Sequence, residues 1–286
     1  MLRKSTFILF CILSFLSVKG QDNDLSRVIY SSVDSILVEQ LLHDDNVGDN
    51  PVLYYARYFV GKPYVAHTLE KSDPERLVVN LRELDCTTLI ETVGALSMAK
   101  SANDSTFQGY CKALEKMRYF DGKMNGYCSR LHYFTWWICD NLSKSIVEEV
   151  SDGIYTVTPL IVNNYYMSLF PQKYKYLKGN SERVAAIKKL EKRYNGHDGN
   201  YIAAHHLKKG KKDLGFIKDG DIIAIVTKKK GLDYSHLGFA VWGEDGKLHL
   251  LNASSIHKKV VEEPMTLYEY LKKHPTSVGI RVFRYK

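Results

Sequence analysis

Between Ser26 and Leu42, Val28, Ile29, Val33, Ile36, Leu37 and Leu41 recur at helical spacing, which predicts an amphipathic helix. A second helix is predicted to open at Asn50-Pro51, with proline in its first turn, to bury Leu53, Ala56 and Phe59, and to end near Gly61. Gly61-Lys62-Pro63-Tyr64 then reads as a turn leading into a short extended stretch. From Cys86 to Lys100, Leu89, Val93 and Leu96 share one face, so Cys86 is expected in the first turn of a helix. The middle of the chain, about 105–212, mixes helical and tyrosine-rich irregular stretches. Leu131 to Leu142 and Ser181 to Tyr194 are its better helices, and Ile154 to Thr158 alternates like a strand.

From Asp219 the period changes. Asp221 to Thr227, Ser235 to Trp242, Lys247 to Asn252, Lys258 to Glu262 and Val278 to Tyr285 are short β-branched or alternating runs separated by turn residues such as Gly243-Glu244-Asp245-Gly246, with a short helix over Thr266 to Lys273. Helices followed by an antiparallel sheet make the expected class α+β. No internal repeat or low-complexity tract interrupts this order.

The first residues have another character. Arg3 and Lys4 precede an apolar run from Phe7 to Leu16, and Val18-Lys19-Gly20 supplies a cleavage site before Gln21. Residues 1–20 therefore read as an export signal, leaving 21–286 as one catalytic-sized domain in the periplasm or cell envelope. Lys19 ends the apolar run well short of the roughly 20 residues that span a bilayer, and no later segment is apolar enough. Cys11 follows Phe10, where a lipoprotein signal wants a small residue, which argues against a lipid anchor. The formal net charge of +8 gathers locally at Lys208 to Lys212 and Lys228 to Lys230. Exported proteins rarely meet nucleic acid and no binding motif for it is present, so the charge is read as solvated loops that also suit an anionic wall.

Four cysteines lie beyond the signal: Cys86, Cys111, Cys128 and Cys139. None has the paired spacing of a zinc site, and an exported protein is free to form disulfides; which of Cys111, Cys128 and Cys139 pair is left open. No metal or cofactor is implied. A helix N-terminus favours a thiolate, because its unpaired N–H groups and its dipole face the sulfur. Cys86 has that placement. His236 opens the apolar strand Leu237-Gly238-Phe239-Ala240-Val241, with Gly238 leaving room beside it, and Asn252 ends the next strand of the hairpin, where it would lie beside His236 and orient its ring. Taken singly, each is more often an ordinary core or surface residue; the joint arrangement carries the argument. His205-His206 lacks a carboxylate at ligand spacing and reads as a solvent-facing helix end. His249 and His257 are expected to face solvent from alternating strands.

Five segments occur in order: Gly61-Lys62-Pro63-Tyr64-Val65, Asp85-Cys86-Thr87-Thr88-Leu89-Ile90, Asp219-Gly220-Asp221-Ile222-Ile223, Ser235-His236-Leu237-Gly238-Phe239-Ala240 and Leu250-Leu251-Asn252-Ala253-Ser254. This series resembles the NlpC-type cysteine peptidases, bacterial cell-wall enzymes with a reduced papain-like fold. The resemblance implies Cys86 as nucleophile, His236 as base, Asn252 as the orienting residue, and Tyr64 with the Cys86 N–H at the reacting carbonyl. The chain departs from that pattern in having Thr87 and Thr88 where serine and glycine are usual, and in the long, mostly helical insertion at 105–212. The insertion, with Asn125-Gly126-Tyr127-Cys128-Ser129-Arg130-Leu131-His132-Tyr133 inside it, resembles the amidase-like branch, which cleaves between N-acetylmuramic acid and L-alanine.

The resemblance thus implies a cysteine-dependent amidase acting on peptidoglycan or muropeptides. Arg130 is the expected carboxylate grip, flanked by Ser129 and His132, with Asp85 and Thr87 beside the nucleophile completing the substrate-binding set. The other reading of Arg130 is that it pairs with a nearby acid while Tyr127, Tyr133, Trp136 and Trp137 fill the core. Three further functions fit the same residues: an endopeptidase cutting after D-glutamate in the stem peptide, a non-catalytic peptidoglycan-binding module, or a thiol acyltransferase on a related fold. The chain alone fixes neither the oligomeric state nor the preferred glycan end.

Overall fold

The structure, a computed structural model, describes residues 25–196 and 198–286; the predicted export signal at 1–20 lies outside the described residues. Val28–Ile29 (β1) is extended and pairs in parallel with Leu77–Val78 (β2) instead of opening the first helix. Helix α1 is Ser32–Leu42, and Ser31 sets its start. The Ser31 side chain accepts the Asp34 N–H while the Asp34 carboxylate accepts the Ser31 N–H, a reciprocal cap that satisfies first-turn donors. Val33 and Ile36 of this helix stay more than half exposed. Helix α2 (Pro51–Tyr58) begins as predicted, with proline at its first position and the Asn50 side chain accepting the Leu53 N–H.

Helix α3 (Cys86–Ser101) buries Leu89, Val93 and Leu96 completely, and Ile90 and Ala95 as well. It is covered nearly all round, by α1, α2 and α4 (Phe107–Arg118) and by two strands of the sheet. This packing fixes the direction in which its N-terminus points. The chain then runs through α5 (Phe134–Ser143), β3 (Val147–Glu149), β4 (Thr156–Ile161), α6 (Tyr166–Leu169), α7 (Ser181–Tyr194), β5 (Asp198–Ala203) and α8 (Lys211–Leu214). It ends in β6 (Ile222–Thr227), β7 (Tyr234–Trp242), β8 (Leu248–Ser254), β9 (Lys259–Glu262), α9 (Leu267–Lys272) and β10 (Ser277–Tyr285).

The class is α+β: nine α-helices among the described residues and an eight-stranded antiparallel sheet. Its order is β4-β5-β10-β6-β7-β8-β9, with β3 also on β10. The segment at 105–212 is thus not wholly helical; it contributes β3, β4 and β5 to the main sheet. In β6, Ile222, Ala224 and Val226 face the core shared with α3, whereas Ile223 and Ile225 face a second core shared with α9. A strand covered on both faces reads as a continuous apolar run, which is how this one appears in the sequence. Among the described residues no helix is long and apolar enough to cross a membrane.

Candidate active site

Cys86 is the first residue of α3, and its placement rests on the cap before it. Asp85 Oδ1 accepts the Thr88 N–H at 2.8 Å, and the Asp85 N–H donates to Thr88 Oγ1 at 2.8 Å, a reciprocal cap. Thr88 is therefore a structural member of the turn, which accounts for one departure from the serine-glycine pattern. Helix α3 packs against β7 and β8. That packing sets the half-buried Cys86, at the start of α3, close to β7, with Leu237, the residue after His236, and Thr87 the groups that act to lower its thiol pKa.

His236 is half-buried at the start of β7, stacked on Tyr270 of α9 with 6.2 Å between ring centroids. Its Nε2 lies 2.9 Å from Oδ1 of Asn252, which is fully buried in β8. Phe239 pairs with Leu251 in this hairpin; continuing the register puts Gly238 opposite Asn252, with His236 on the diagonal. A Cβ at position 238 would sit 2.6 Å from the Leu251 carbonyl oxygen and 2.7 Å from a Leu250 methyl, so glycine is what lets the two strands close behind the imidazole. Asn252 Nδ2 in turn donates to Glu263 Oε1 at 3.0 Å, and Glu263 Oε2 lies 3.2 Å from His257 Nε2.

Burial pushes the Cys86 thiol up to about 12, reinforced by the Asp85 charge and opposed by smaller contributions from Leu237 and Thr87. Burial also lowers His236 below the ordinary imidazole value, opposed chiefly by its bond to Asn252. Both shifts favour the uncharged forms, a thiol at Cys86 and a neutral imidazole at His236. Tyr64 is pinned by its N–H to the Lys258 carbonyl, and burial with the neighbouring Cys86 and Asp85 raises its phenol to about 12. It is a proton donor throughout the physiological range. All four described cysteines, Cys86, Cys111, Cys128 and Cys139, are free thiols.

The residues flanking Cys86, Asp85 and Thr87, line a cavity of about 170 Å³ together with Glu70, Arg130 and His132. Arg130 is buried, 2.6 Å from Glu70 and 3.5 Å from Glu75, with its guanidinium over the Tyr127 ring. Its charge is thus already met by acids, and Tyr133, Trp136 and Trp137 are core, as in the alternative reading of this segment. Even so, Glu70 Oε2, Tyr127 Oη and Arg130 Nε are buried around the cavity without hydrogen-bond partners. His132 bonds the Tyr127 carbonyl through Nε2 and is held well below the imidazole range by burial and by Arg130. Ser129 does not line the cavity; its hydroxyl closes a local turn with Asn125 and Gly126.

Sequence reasoning missed Glu263 as the partner of Asn252, and His257 as the partner of Glu263. Glu262-Glu263-Pro264 reads as a solvated strand end, and only the return of the chain across β8 shows the second glutamate to be buried. His257 is partly exposed, with 39% of its side chain accessible, whereas His249 is mostly covered, bonding the Glu263 carbonyl through Nδ1.

Residues 54–280 match the family described as AmiA-like, N-acetylmuramoyl-L-alanine amidase-like. The chain is similar to the crystal structure of an N-acetylmuramoyl-L-alanine amidase from Bacteroides uniformis ATCC 8492, at 40% identity over 82% of this chain and 97% of that one, with a TM-score of 0.77. A Bacteroides fragilis structure whose name assigns it provisionally to the xylanases is 39% identical over 81% of this chain and 99% of its own, with a TM-score of 0.76. A Legionella pneumophila protein shares the fold at 21% identity, over 88% and 94% of the two chains, with a TM-score of 0.67. No curated protein matches the chain.

Proposed function

The chain belongs to the AmiA-like, N-acetylmuramoyl-L-alanine amidase-like family, and from that premise we propose that it is an exported, cysteine-dependent amidase of papain-like, NlpC-type architecture. Its bond is the amide between N-acetylmuramic acid and L-alanine of peptidoglycan fragments in the periplasm or cell envelope. The observation that carries this reading is the packing of α3, which opens with Cys86, against β7, the strand that bears His236, whose ring Asn252 holds.

With Nε2 bonded to Asn252, Nδ1 is the ring nitrogen left to take the Cys86 proton. The thiolate attacks the lactyl carbonyl carbon. Negative charge then develops on the carbonyl oxygen, where the Cys86 N–H, which as the first residue of a helix has no intrahelical partner, and the Tyr64 phenol are the donors. The imidazolium returns the proton to the departing L-alanine nitrogen, and water, deprotonated by His236, releases the acyl group from sulfur. The stem peptide lies in the cavity beside Asp85 and Thr87. There a substrate carboxylate displaces Glu70 from Arg130 and accepts from the Tyr127 phenol, while the freed Glu70 carboxylate accepts from a substrate N–H. Ser129 supports this wall through its turn, and His132 through its bond to Tyr127.

The test is digestion of purified muropeptides by the wild type and by Cys86→Ala, with products identified by mass spectrometry. The amidase reading expects free sugar and intact stem peptide from the wild type and neither from the variant. A stem cut after D-glutamate would instead make the protein an endopeptidase, and cleavage of xylan by both proteins would remove the cysteine from the mechanism.

A further inference from the structure

Asn252 can orient His236 only if its own amide faces the right way, and nothing in an asparagine by itself decides that. Rotation by a half turn exchanges an acceptor for a donor at nearly the same place. The answer lies one residue further on. Glu263 is buried with Oε1 3.0 Å from Asn252 Nδ2, and because a carboxylate is an acceptor, the Asn252 group that faces it is the NH2. Oδ1 is thereby turned to His236, the ring nitrogen that meets it must carry the proton, and that nitrogen is Nε2. The lone pair is left on Nδ1, which is the form a base needs.

From this chain of partners we infer that Glu263 is a positioning residue of the site, fixing the tautomer of His236 through Asn252. The inference rests on the proposed roles of Cys86 as nucleophile and His236 as base. The glutamate is well placed to act this way. Its N–H donates to the Leu250 carbonyl at 2.8 Å and its own carbonyl accepts from His249 Nδ1 at 3.1 Å, so its backbone is tied to the strand that carries Asn252. Its second oxygen is met by His257 from the turn between β8 and β9, the partner nearer to solvent. The groups that share the field at His236 are Asp85 and Glu263, which favour the imidazolium, and His274, which opposes it, with the Tyr270 ring and Cys86 alongside. At Glu263 the corresponding neighbours are Asn252, His257, His249 and Tyr270.

Glu263→Gln in the full chain is the test, because glutamine keeps the shape yet offers Asn252 either a donor or an acceptor. The expected result is a kcat lowered about tenfold or more with KM unchanged, as when a catalytic histidine loses its preferred tautomer. The limb of the pH profile that belongs to His236 is expected to move to lower pH, since loss of the negative charge weakens the imidazolium. A folded variant with the wild-type profile overturns the inference. Should the variant fail to fold, 15N NMR of the wild-type histidines decides instead, with His236→Gln identifying the resonance by its loss: an Nε2–H tautomer supports the role of Glu263 and an Nδ1–H tautomer overturns it. Cys86→Ala measured alongside keeps the two claims apart. If it stays active, the nucleophile assignment falls while the tautomer still answers for Glu263; if it is inactive and Glu263→Gln behaves as wild type, the positioning role alone falls.

Discussion

Asp34 shows how much one buried carboxylate does in this chain. It caps α1 through Ser31, accepts the Leu81 N–H at 3.0 Å, and pairs with the Arg82 guanidinium at 3.2 Å. Burial alone would raise its pKa, but the Arg82, Leu81 and Ser31 hydrogen bonds outweigh it and hold the carboxyl below its usual value. Its folded pKa being depressed, the stabilisation is present above the unfolded value of about 3.9 and is lost as pH falls through the folded one. Asp34→Asn is therefore expected to cost about 1–3 kcal/mol at pH 7 by urea unfolding, and the gap from wild type should narrow below about pH 4. Arg130 carries a larger risk. Arg130→Ala leaves Glu70 and Glu75 facing each other without their cation, so a loss of about 3–5 kcal/mol in the same assay is expected before any effect on substrate binding is read. For the proposed pair of Cys86 and His236, a raised thiol and a lowered imidazole mean that the proton moves during attack. The acidic limb of kcat/KM should accordingly lie below the ordinary imidazole value of about 6.5, and the rate should fall in D2O. A D2O rate equal to that in water would instead indicate an ion pair formed before substrate arrives.

Among the elements, the hairpin of β7 and β8 is the one on which the site depends, and Gly238 is its narrowest point. Gly238→Ala drives a methyl against the Leu251 carbonyl, backbone that has nowhere to retreat. The strands must part, which is expected to cost about 1–3 kcal/mol and to lower activity by separating His236 from Asn252; equal melting temperature and activity in the variant would contradict that. The same hairpin marks what the chain made legible. Strands β6 to β10 and helices α3 and α7 were readable because their apolar period or their caps are local, and Cys86 does open a helix; His236 and Asn252, expected at strand ends, lie instead within β7 and β8, which begin at Tyr234 and end at Ser254. Where α1 begins was not, because Val28 and Ile29 fit a helical period and a parallel pairing with Leu77–Val78 equally well, and only the distant partner chooses. Helix α4 escaped notice as a distinct element for a related reason: Gly109 and Tyr110 weaken its propensity, and its burial against α3 supplies what they lack. Glu263 was hidden by the same dependence on a remote strand.

At the scale of the whole molecule, the question is whether 105–212 is a lobe attached to the domain or part of its core. Three observations place it in the core. Its strands β3 and β5 are hydrogen-bonded to β10, so the main sheet is incomplete without them. Arg118 of α4 meets Glu91 of α3 at 2.6 Å in a fully buried pair and reaches the Val78 carbonyl at 2.7 Å. Asp233, just before β7 and three residues from His236, accepts from the Thr135 N–H and hydroxyl and from Asn164 Nδ2. Removing the segment would leave Glu91 buried without its cation and Asp233 without these donors, each a costly state. A chain lacking 105–212 is therefore expected not to fold. The gentler measurement uses the full chain with Trp242→Phe, which leaves Trp136 and Trp137, both buried in α5, as the tryptophans of the insertion. Their fluorescence transition on heating should coincide with the loss of catalytic activity, because the strand that carries His236 is tied to α5 through Asp233. Two separated transitions, with activity surviving the first, would mean that the insertion unfolds by itself and that the site does not lean on it.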